Sequence, residues 1–351
     1  MPPPAVSIVI PTRNRRELLR ETAASVFRQT SRDWELIIVD DAGEDGTWAW
    51  LETLDDPRVR KIRLERRSER SRARNLGLQA ARGQNILFLD DDDLLPERAL
   101  EAHIEGLRFF PTAIASIGGY VEFDSSGLNK PHRLLRRRHA RNVHADLLFE
   151  WKAVPGQCLF RSETMRTAGG WDESHAGAED YELLLRLART GVVVLTPEIV
   201  LLYRVHSGQV WSRNKEQVVE EIRSQAVASL KGPDRDLAER VLRARASALP
   251  AWQKLGRADA LRSLLIYLEA LRATPGLIRS PLTRPVLIEA LKKFVGASTG
   301  IRFGGFLYSM RLRMGKKEIR TAGRPVDSDA RWRPENPPAG NGPSHEKVSE
   351  P

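Results

Sequence analysis

The feature that most constrains the fold is an apolar run ending in four consecutive aspartates, within residues 84–96 (QNILFLDDDDLLP). Residues 86–89 suit a buried parallel strand, because such strands are covered on both faces and need not alternate. Four adjacent carboxylates repel one another, so a bound cation is the simplest stabiliser. Oxygen ligands favour Mg²⁺ or Mn²⁺ over zinc. This stretch therefore predicts a divalent metal that holds a phosphorylated ligand, with a solvated turn that caps the next helix as the alternative.

Strands and helices alternate ahead of this run, which predicts βαβ units and a parallel sheet. Residues 6–10 form a first β-branched run, and residues 35–39 form a second that ends at Asp40 and Asp41. Ligands of open α/β sheets bind beyond the carboxyl ends of the strands. We therefore expect acidic residues from two strands at one edge of a nucleotide-binding sheet.

Local signals predict helix ends and further strands. Asn14 and Glu17 have the spacing of a capping box, and Gly83 stands where a glycine is expected after a helix. Later in the chain, residues 192–195 and 199–203 are strand-like. The basic stretch 133–141 (RLLRRRHAR) is typical of a mobile loop or a helix start, either solvated or used to grip phosphate or membrane.

The charge balance predicts an anionic partner. Lys and Arg total 56 against 46 Asp and Glu, a net charge of +10. Nucleic acid, a phospholipid surface and a nucleotide-linked substrate all fit this charge. Few aromatic residues are interleaved with the basic ones, so we do not expect nucleic acid as a partner. The single cysteine, Cys158, excludes a disulfide framework within the chain.

The sequence also predicts where the protein works. No segment approaches the roughly 18 apolar residues of a membrane span. The start MPPPAVSIVIP lacks a positively charged region and is typical of a first strand, not of a signal peptide. We expect a cytoplasmic protein. Residues 261–295 mix apolar runs with Arg and Lys, which leaves open peripheral contact with the inner face of the membrane or a helical packing domain.

Four motifs follow one another: SIVIPTRNR (7–15), VDDAGEDGT (39–47), ARNLGLQAARGQNILFLDDDD (73–93) and GGWDESHAGAEDYELLLR (169–186). Together they resemble the family 2 glycosyltransferases over residues 6–206. The resemblance implies an α/β protein with the GT-A, Rossmann-like fold, in which helices flank a mostly parallel central sheet. It also implies inverting transfer of a sugar from a nucleotide-diphosphate sugar donor to a glycan or glycolipid acceptor. Cell-surface polysaccharide or glycolipid assembly is the expected setting.

We predict three regions along the chain. Residues 1–214 form the GT-A domain, with a nucleotide-binding half of about 1–95 and an acceptor half of about 96–214. Periodic, Ala- and Leu-rich segments predict an α-helical extension over 215–320, and the Pro- and Gly-rich residues 321–351 predict a disordered tail.

The resemblance assigns the donor to residues at the sheet edge. Thr12, Asp40 and Arg74 match nucleotide-contacting positions, with Asp40 on the nucleoside. Asp90 and Asp92 take the two positions of the family's DxD motif. Asp90 then faces the ribose or sugar, and Asp92 binds the Mg²⁺ or Mn²⁺ that bridges the diphosphate and stabilises the charge of the leaving group.

Other carboxylates leave alternatives open. Because four aspartates are consecutive, Asp91 and Asp93 are alternative ligands, and Asp93 is also a candidate cap for the helix after Pro96. Asp41 either assists nucleotide binding or caps its own turn.

The resemblance assigns the chemistry and the acceptor to the second half. Asp180 matches the base that takes the acceptor proton, although a carboxylate there also suits a helix N-terminus. Glu179, Trp171 and Asp172 are acceptor-side residues, and the aromatic ring either stacks on a sugar or packs. His206 matches a position near the metal or diphosphate, with a structural role as the alternative.

Two other functions stay open at this point. A nucleotidyltransferase acting on sugar phosphates also combines an α/β sheet with acidic metal ligands, but the turn PTRNRREL has no glycine for the expected signature loop. A basic membrane- or nucleic-acid-binding module is the non-enzymatic alternative, motivated by the net charge of +10.

Overall fold

The computed structural model describes most of the first 232 residues: 2–132, 137–149, 153–174, 177–206 and 215–232, and also 235, 236, 238, 239 and 242. The predicted tail, the segment 261–295 and most of the predicted helical extension lie outside these residues.

Strands and helices alternate as the sequence predicts. The strands are β1 (Val6–Thr12), β2 (Trp34–Asp40), β3 (Val59–Arg63), β4 (Asn85–Phe88), β5 (Ala115–Asp124), β6 (Gly127–His132), β7 (His139–Arg141), β8 (Cys158–Arg161) and β9 (Val193–Arg204). The helices are α1 (Arg16–Phe27), α2 (Thr47–Glu52), α3 (Arg70–Ala80), α4 (Ala99–Phe109), α5 (His144–Phe149), α6 (Ser162–Thr167), α7 (Glu179–Leu187) and α8 (Lys215–Ala228). A 3-10 turn, Pro155–Gln157, precedes β8.

The described strands form one sheet in the order β3-β2-β1-β4-β8-β5-β9-β7, with β6 paired to β5. The first four strands in this order are parallel, as predicted for the nucleotide-binding half. β8 runs antiparallel to both β4 and β5, and β9 runs parallel to β5. β9 therefore points the same way as β4, and its carboxyl end reaches the edge at which β1, β2 and β4 end.

Both faces of the sheet are buried, which explains the continuous apolar runs. Along β1, Val9 belongs to a core that also contains Ala73 of α3 and Leu183 of α7. Its neighbours Ile8 and Ile10 point to the opposite core, with Leu19 of α1. This two-sided burial fixes the sheet between helical layers and leaves its carboxyl edge for ligands.

Two local predictions in the first half were wrong. The helix α1 begins at Arg16 without a side-chain cap from its N-cap residue, and Asp45 instead accepts the Arg16 backbone N–H at 2.9 Å. Gly83 does not end a helix, since α3 stops at Ala80. A Cβ at Gly83 would lie 2.5 Å from the Ser7 backbone nitrogen, so this glycine allows a close approach to β1.

The other two differences are in the second half. The two strand-like segments at 192–195 and 199–203 are one strand, β9, with irregular register against β5. Part of the basic stretch forms β7, whose residue His139 pairs with Leu195.

The described part of the predicted extension is helical and contacts the preceding domain. Val219 and Ile222 of α8 are buried in the core that contains α7. The Arg223 Nε donates to the Tyr181 hydroxyl at 2.9 Å, one residue beyond Asp180. The boundary at residue 214 stays a prediction. No described helix has the length and apolar character needed to cross a bilayer.

Candidate active site

A cavity of about 550 Å³ opens at the carboxyl edge of the sheet, within the roughly 300–1,000 Å³ of small-molecule sites. It brings together the predicted site residues Thr12, Arg74, Asp90, Asp92, Glu179 and Asp180. Other residues that line it include Arg15, Asp41, Arg70, Asp91, Pro155, Gly177 and Tyr203. Asp40, Trp171, Asp172 and His206 do not line it. The cavity thus joins residues from both predicted halves.

Residues at and just after the end of β1 form hydrogen bonds and ion pairs with the acidic run. Thr12 Oγ1 donates to Asp91 Oδ2 at 2.8 Å, and both residues are buried. Arg15 Nη1 lies 3.1 Å from Asp91 Oδ1 and 2.8 Å from Asp92 Oδ2. Arg15 was not predicted as a site residue. The signal was its place in the turn after β1, because that turn meets the aspartates at one sheet edge.

Arg74 connects the donor side to the second half. It lies one helical turn before Gly77 on α3, where a Cβ would come within 2.2 Å of Val9, so the missing side chain lets α3 pack closely on β1. Arg74 Nη2 donates to Asp90 Oδ1 at 2.6 Å, and Nη1 donates to Glu179 Oε1 at 3.3 Å. Its side chain is 1% exposed. Both terminal nitrogens therefore hold carboxylates of the protein.

This ion pairing sets the charge of two carboxylates. Burial alone would raise the pKa of Asp90, but the Arg74 and Arg70 guanidinium groups outweigh it and lower that pKa. The pKa of Glu179 is lowered by the same two arginines against burial. Both side chains are therefore ionised at neutral pH.

Asp91 and Asp93 have the opposite balance. Burial raises the pKa of Asp91 to about 6, although Arg15 opposes the shift. Burial, reinforced by the charges of Asp90 and Asp92, raises the pKa of Asp93 well above its usual value. Asp93 Oδ1 accepts the Arg204 backbone N–H at 2.9 Å.

The prediction that Asp93 caps the next helix was wrong, because α4 begins at Ala99 with Arg98 as its N-cap residue. Asp93 instead joins the acidic loop to the end of β9. Arg204 completes this link through its Nε, which donates to the Asp92 carbonyl at 2.7 Å.

Asp40 and Asp41 lie at the end of β2. Asp40 Oδ1 accepts the Gly43 backbone N–H at 2.9 Å, while its buried Oδ2 accepts no hydrogen bond from the described residues. Burial raises the pKa of Asp40. Asp41 accepts the backbone N–H groups of Ser68 at 2.7 Å and Glu69 at 3.1 Å. Asp41 thus fixes the turn before α3 instead of capping its own.

The turns around the cavity are strained. Asn14, Ala42 and Glu69 have φ of 54°, 56° and 77°, although none of them is glycine. Such conformations cost on the order of 1–3 kcal/mol each and cluster at functional sites. Asp41 offsets this cost at Glu69 through its hydrogen bond to that backbone.

The predicted metal ligands are close to each other. His206 Nε2 lies 3.1 Å from Asp92 Oδ2. No cluster of three or more His, Cys, Asp or Glu side chains arranged to hold a metal occurs among the described residues. One carboxylate and one imidazole at this separation can ligate a single ion whose other ligands come from a bound diphosphate and water.

The ED motif begins α7 at the far side of the cavity. The Glu179 carboxylate accepts the Gly177 backbone N–H at 2.8 Å as well as the Arg74 hydrogen bond. Asp180 Oδ1 accepts the Tyr181 backbone N–H at 2.8 Å, and its side chain is partly exposed to the cavity. Asp180 therefore presents a carboxylate to the space that Asp90 and Asp92 face from the other half.

Trp171 and Asp172 do not line the cavity. Trp171 is 3% exposed, packs edge-on against Phe88 with ring centroids 5.0 Å apart, and lies 4.4 Å below the Arg74 guanidinium carbon. Asp172 Oδ1 accepts the Ser174 backbone N–H at 2.8 Å. The packing alternative for Trp171 fits these contacts, and Asp172 fixes a turn.

Comparisons with known proteins identify the family and the fold. Residues 7–167 match the family model described as glycosyl transferase family 2. The crystal structure of S. aureus TarS 1–349 in complex with UDP-GlcNAc superposes with a TM-score of 0.58 at 16% identity, over 83% of this chain and 88% of that fragment. This likeness confirms the GT-A fold.

Two curated relatives are similar in sequence. The poly(ribitol-phosphate) beta-N-acetylglucosaminyltransferase TarP of Staphylococcus aureus is 43% identical over 104 residues, 27% of this chain and 31% of TarP. The UDP-Glc:alpha-D-GlcNAc-diphosphoundecaprenol beta-1,3-glucosyltransferase WfaP of Escherichia coli is 28% identical over 214 residues, 60% of this chain and 80% of WfaP. The match to this chain spans 41%, 20% and 66% of the length of three further relatives. By its matched motifs, its fold and these relatives, the chain belongs to glycosyl transferase family 2.

Proposed function

We propose that the protein is an inverting glycosyltransferase. It moves a sugar from a nucleotide-diphosphate sugar to a hydroxyl group of a glycan or glycolipid acceptor, in cell-surface polysaccharide or glycolipid assembly. The observation that best supports this function is that Asp90 and Asp92 of one half and Asp180 of the other line the same cavity. The names of TarP and WfaP, both of which describe sugar transfer, support the same reaction class.

The reaction is a direct displacement. The acceptor hydroxyl oxygen bonds to the anomeric carbon, while the bond from that carbon to the diphosphate oxygen breaks and its electron pair leaves with the nucleoside diphosphate. Attack from the opposite side inverts the anomeric configuration. Asp180 takes the acceptor proton, since its carboxylate faces the cavity at the start of α7.

The donor-binding roles follow the contacts at the sheet edge. Thr12 and Asp40 bind the nucleoside, with the Asp40 Oδ2 oxygen, which accepts no hydrogen bond from the described residues, as its acceptor group. Asp90 binds the ribose or sugar. Arg74 acts by holding Asp90 and Glu179 in place, because both of its terminal nitrogens are engaged by these carboxylates. Glu179 in turn fixes the loop at Gly177 beside the acceptor.

Asp92 and His206 would hold Mg²⁺ or Mn²⁺. Their donor atoms, an oxygen and a nitrogen 3.1 Å apart, suit one ion with phosphate oxygens as its other ligands. The bound ion would stabilise the negative charge that the leaving diphosphate gains. Arg15, which pairs with Asp92, is placed to share that charge.

We also propose a cytoplasmic location with peripheral contact to the inner face of the membrane. The acceptor in the name of WfaP is alpha-D-GlcNAc-diphosphoundecaprenol, whose undecaprenol chain is a lipid. The net charge of +10 suits an anionic lipid surface. Liposome co-sedimentation tests this location: the full chain should pellet with anionic vesicles and stay in the supernatant with neutral ones. Equal behaviour with both would contradict it.

The function is tested with a panel of nucleotides and nucleotide sugars. We expect one nucleotide-diphosphate sugar to raise the melting temperature in the presence of Mn²⁺, because a ligand of the native state stabilises it. Release of the nucleoside diphosphate from that donor should stop on addition of EDTA and resume with excess Mn²⁺. Failure of every donor to bind, or pyrophosphate release from a nucleoside triphosphate, would contradict the proposal.

A further inference from the structure

Three rings form an aromatic face on neighbouring strands beside the cavity. Tyr120 of β5 pairs across the strands with His132 of β6, and their rings stack at 4.6 Å with an interplanar angle of 9°. The Tyr203 ring of β9 meets Tyr120 edge-on at 6.1 Å. Glu122 pairs with Tyr203 and lies two residues from Tyr120, so all four side chains share one face of the sheet.

This aromatic face (Tyr120, Glu122, His132 and Tyr203) begins in the reaction cavity. Tyr203 lines the cavity together with Asp92 and Asp180. From there the face leads outward through Tyr120, which is half-buried, to His132, whose side chain is 50% exposed. It is thus continuous with the space in which the sugar would be transferred.

The polar atoms of the face are available to a ligand. Neither the Tyr120 nor the Tyr203 hydroxyl makes a hydrogen bond within the described residues. Glu122 Oε1 lies 3.7 Å from His132 Nε2, and both side chains are solvent-accessible. Rings with hydroxyl, carboxylate and imidazole groups at their edges match the two surfaces of a pyranose, which has an apolar C–H face and a rim of hydroxyls.

We propose that the aromatic face is an acceptor subsite that binds a neutral sugar ring of the acceptor glycan. The ring it binds lies next to the sugar whose hydroxyl is glycosylated. This inference rests on the proposed function. The Glu122 carboxylate disfavours a phosphate on this face, whereas two arginines that suit a phosphate, Arg15 and Arg70, line the cavity itself.

The subsite replaces the acceptor contact predicted for Trp171. That ring is 3% exposed and packs in the core, whereas Tyr203 is an aromatic residue that does line the cavity. The sequence motifs alone draw attention to Trp171, which precedes the ED motif. The sheet instead brings an aromatic residue to the cavity from the end of β9.

The test is saturation-transfer NMR on the full chain with Mg²⁺ and UDP, using cellobiose, chitobiose, lactose and maltose as probes. We expect the wild type to bind at least one disaccharide. Tyr203→Ala and His132→Ala should each weaken that binding by about tenfold, because each removes a stacking ring. Tyr203→Phe should stay within about threefold of the wild type, since it keeps the ring.

The matched control is Phe109→Ala, which removes a 73% exposed ring from α4 and should leave disaccharide binding unchanged. If Tyr203→Ala fails to fold, the effect of His132→Ala on disaccharide binding decides whether the subsite exists, because the His132 side chain is half exposed. Binding of none of the probes to the wild type, or equal binding by the wild type and both alanine variants, would overturn the subsite.

A separate UDP titration distinguishes this failure from failure of the proposed function. Disaccharide binding that depends on Tyr203 without any UDP binding would support the subsite and contradict the transferase. UDP binding without disaccharide binding would overturn the subsite alone.

Discussion

The carboxyl edge of the sheet around residues 90–93, called the donor edge here, and the aromatic face treat their polar side chains differently. At the donor edge, Arg15 and Arg74 neutralise carboxylates that are largely buried, at N–O distances of 2.6–3.3 Å. On the aromatic face, the phenol hydroxyls have no partner among the described residues. The difference suits the roles proposed above, with a fixed, charged site for the diphosphate and a more open surface with uncharged phenol groups for the acceptor.

The largest effect on the donor edge is expected from removing the positive charge of Arg74. Arg74→Met should lower the free energy of unfolding by about 3–5 kcal/mol, because it leaves Asp90 and Glu179 without their shared partner. Urea denaturation measures this loss. Arg72→Met is the control, since Arg72 is 59% exposed and its nearest carboxylate oxygen, on Glu173, is 3.9 Å away. A loss below about 1 kcal/mol for Arg74→Met would contradict a structural role for the pair.

A smaller effect is expected from the carboxylate that burial makes hard to ionise. The pKa of Asp91 is about 6 in the folded protein, above that of an unfolded chain. Its contribution to stability is therefore present below the unfolded pKa of about 3.9 and is lost as the pH rises through about 6. Asp91→Asn should stabilise the metal-free protein by about 1–3 kcal/mol at pH 8 and by much less at pH 4.

Urea denaturation of the metal-free wild type and the Asp91→Asn variant at these two pH values measures the effect. A stabilisation that does not depend on pH would mean that packing, and not ionisation, is responsible. Destabilisation at pH 8 would show that the Arg15 ion pair outweighs the desolvation of Asp91.

The smallest effect concerns the acceptor side. Trp171→Phe should lower the free energy of unfolding by only about 1 kcal/mol, because the replacement keeps an aromatic ring against Phe88 and the lost indole N–H has no described partner. The acceptor KM should change by less than about twofold, since uniform binding is unaffected. A large rise in the acceptor KM would return Trp171 to the acceptor site and weaken the case for Tyr203.

The donor edge was more predictable from sequence than the acceptor side. Parallel strands bring their ends to one edge, so Thr12 and Asp90 could be placed together from the order of strands and motifs alone. The roles of the individual aspartates could not be predicted from the sequence. Asp91 meets Arg15 and Asp93 meets the Arg204 backbone only after the loop folds, and four identical residues carry no signal that separates them.

On the acceptor side, the decisive information lies in sheet pairing. The path of β8, antiparallel to two neighbours, turns β9 so that Tyr203 reaches the cavity. The motif at 169–186 does not indicate that Tyr203 reaches the cavity. The burial of Trp171 also depends on distant residues, because its ring packs against Phe88 and Arg74. Long-range pairing therefore limits the prediction of this half.

The most direct test of the account separates donor binding from transfer by a change at Asp180. In Asp180→Asn, sugar transfer should fall by about 10²–10⁴-fold because the general base is lost. Calorimetry should give a donor Kd within about threefold of the wild type, since the donor contacts of the other half are intact. Asp172→Asn, which alters a turn outside the cavity, is the matched control and should keep both properties. Undiminished transfer by Asp180→Asn would contradict the account.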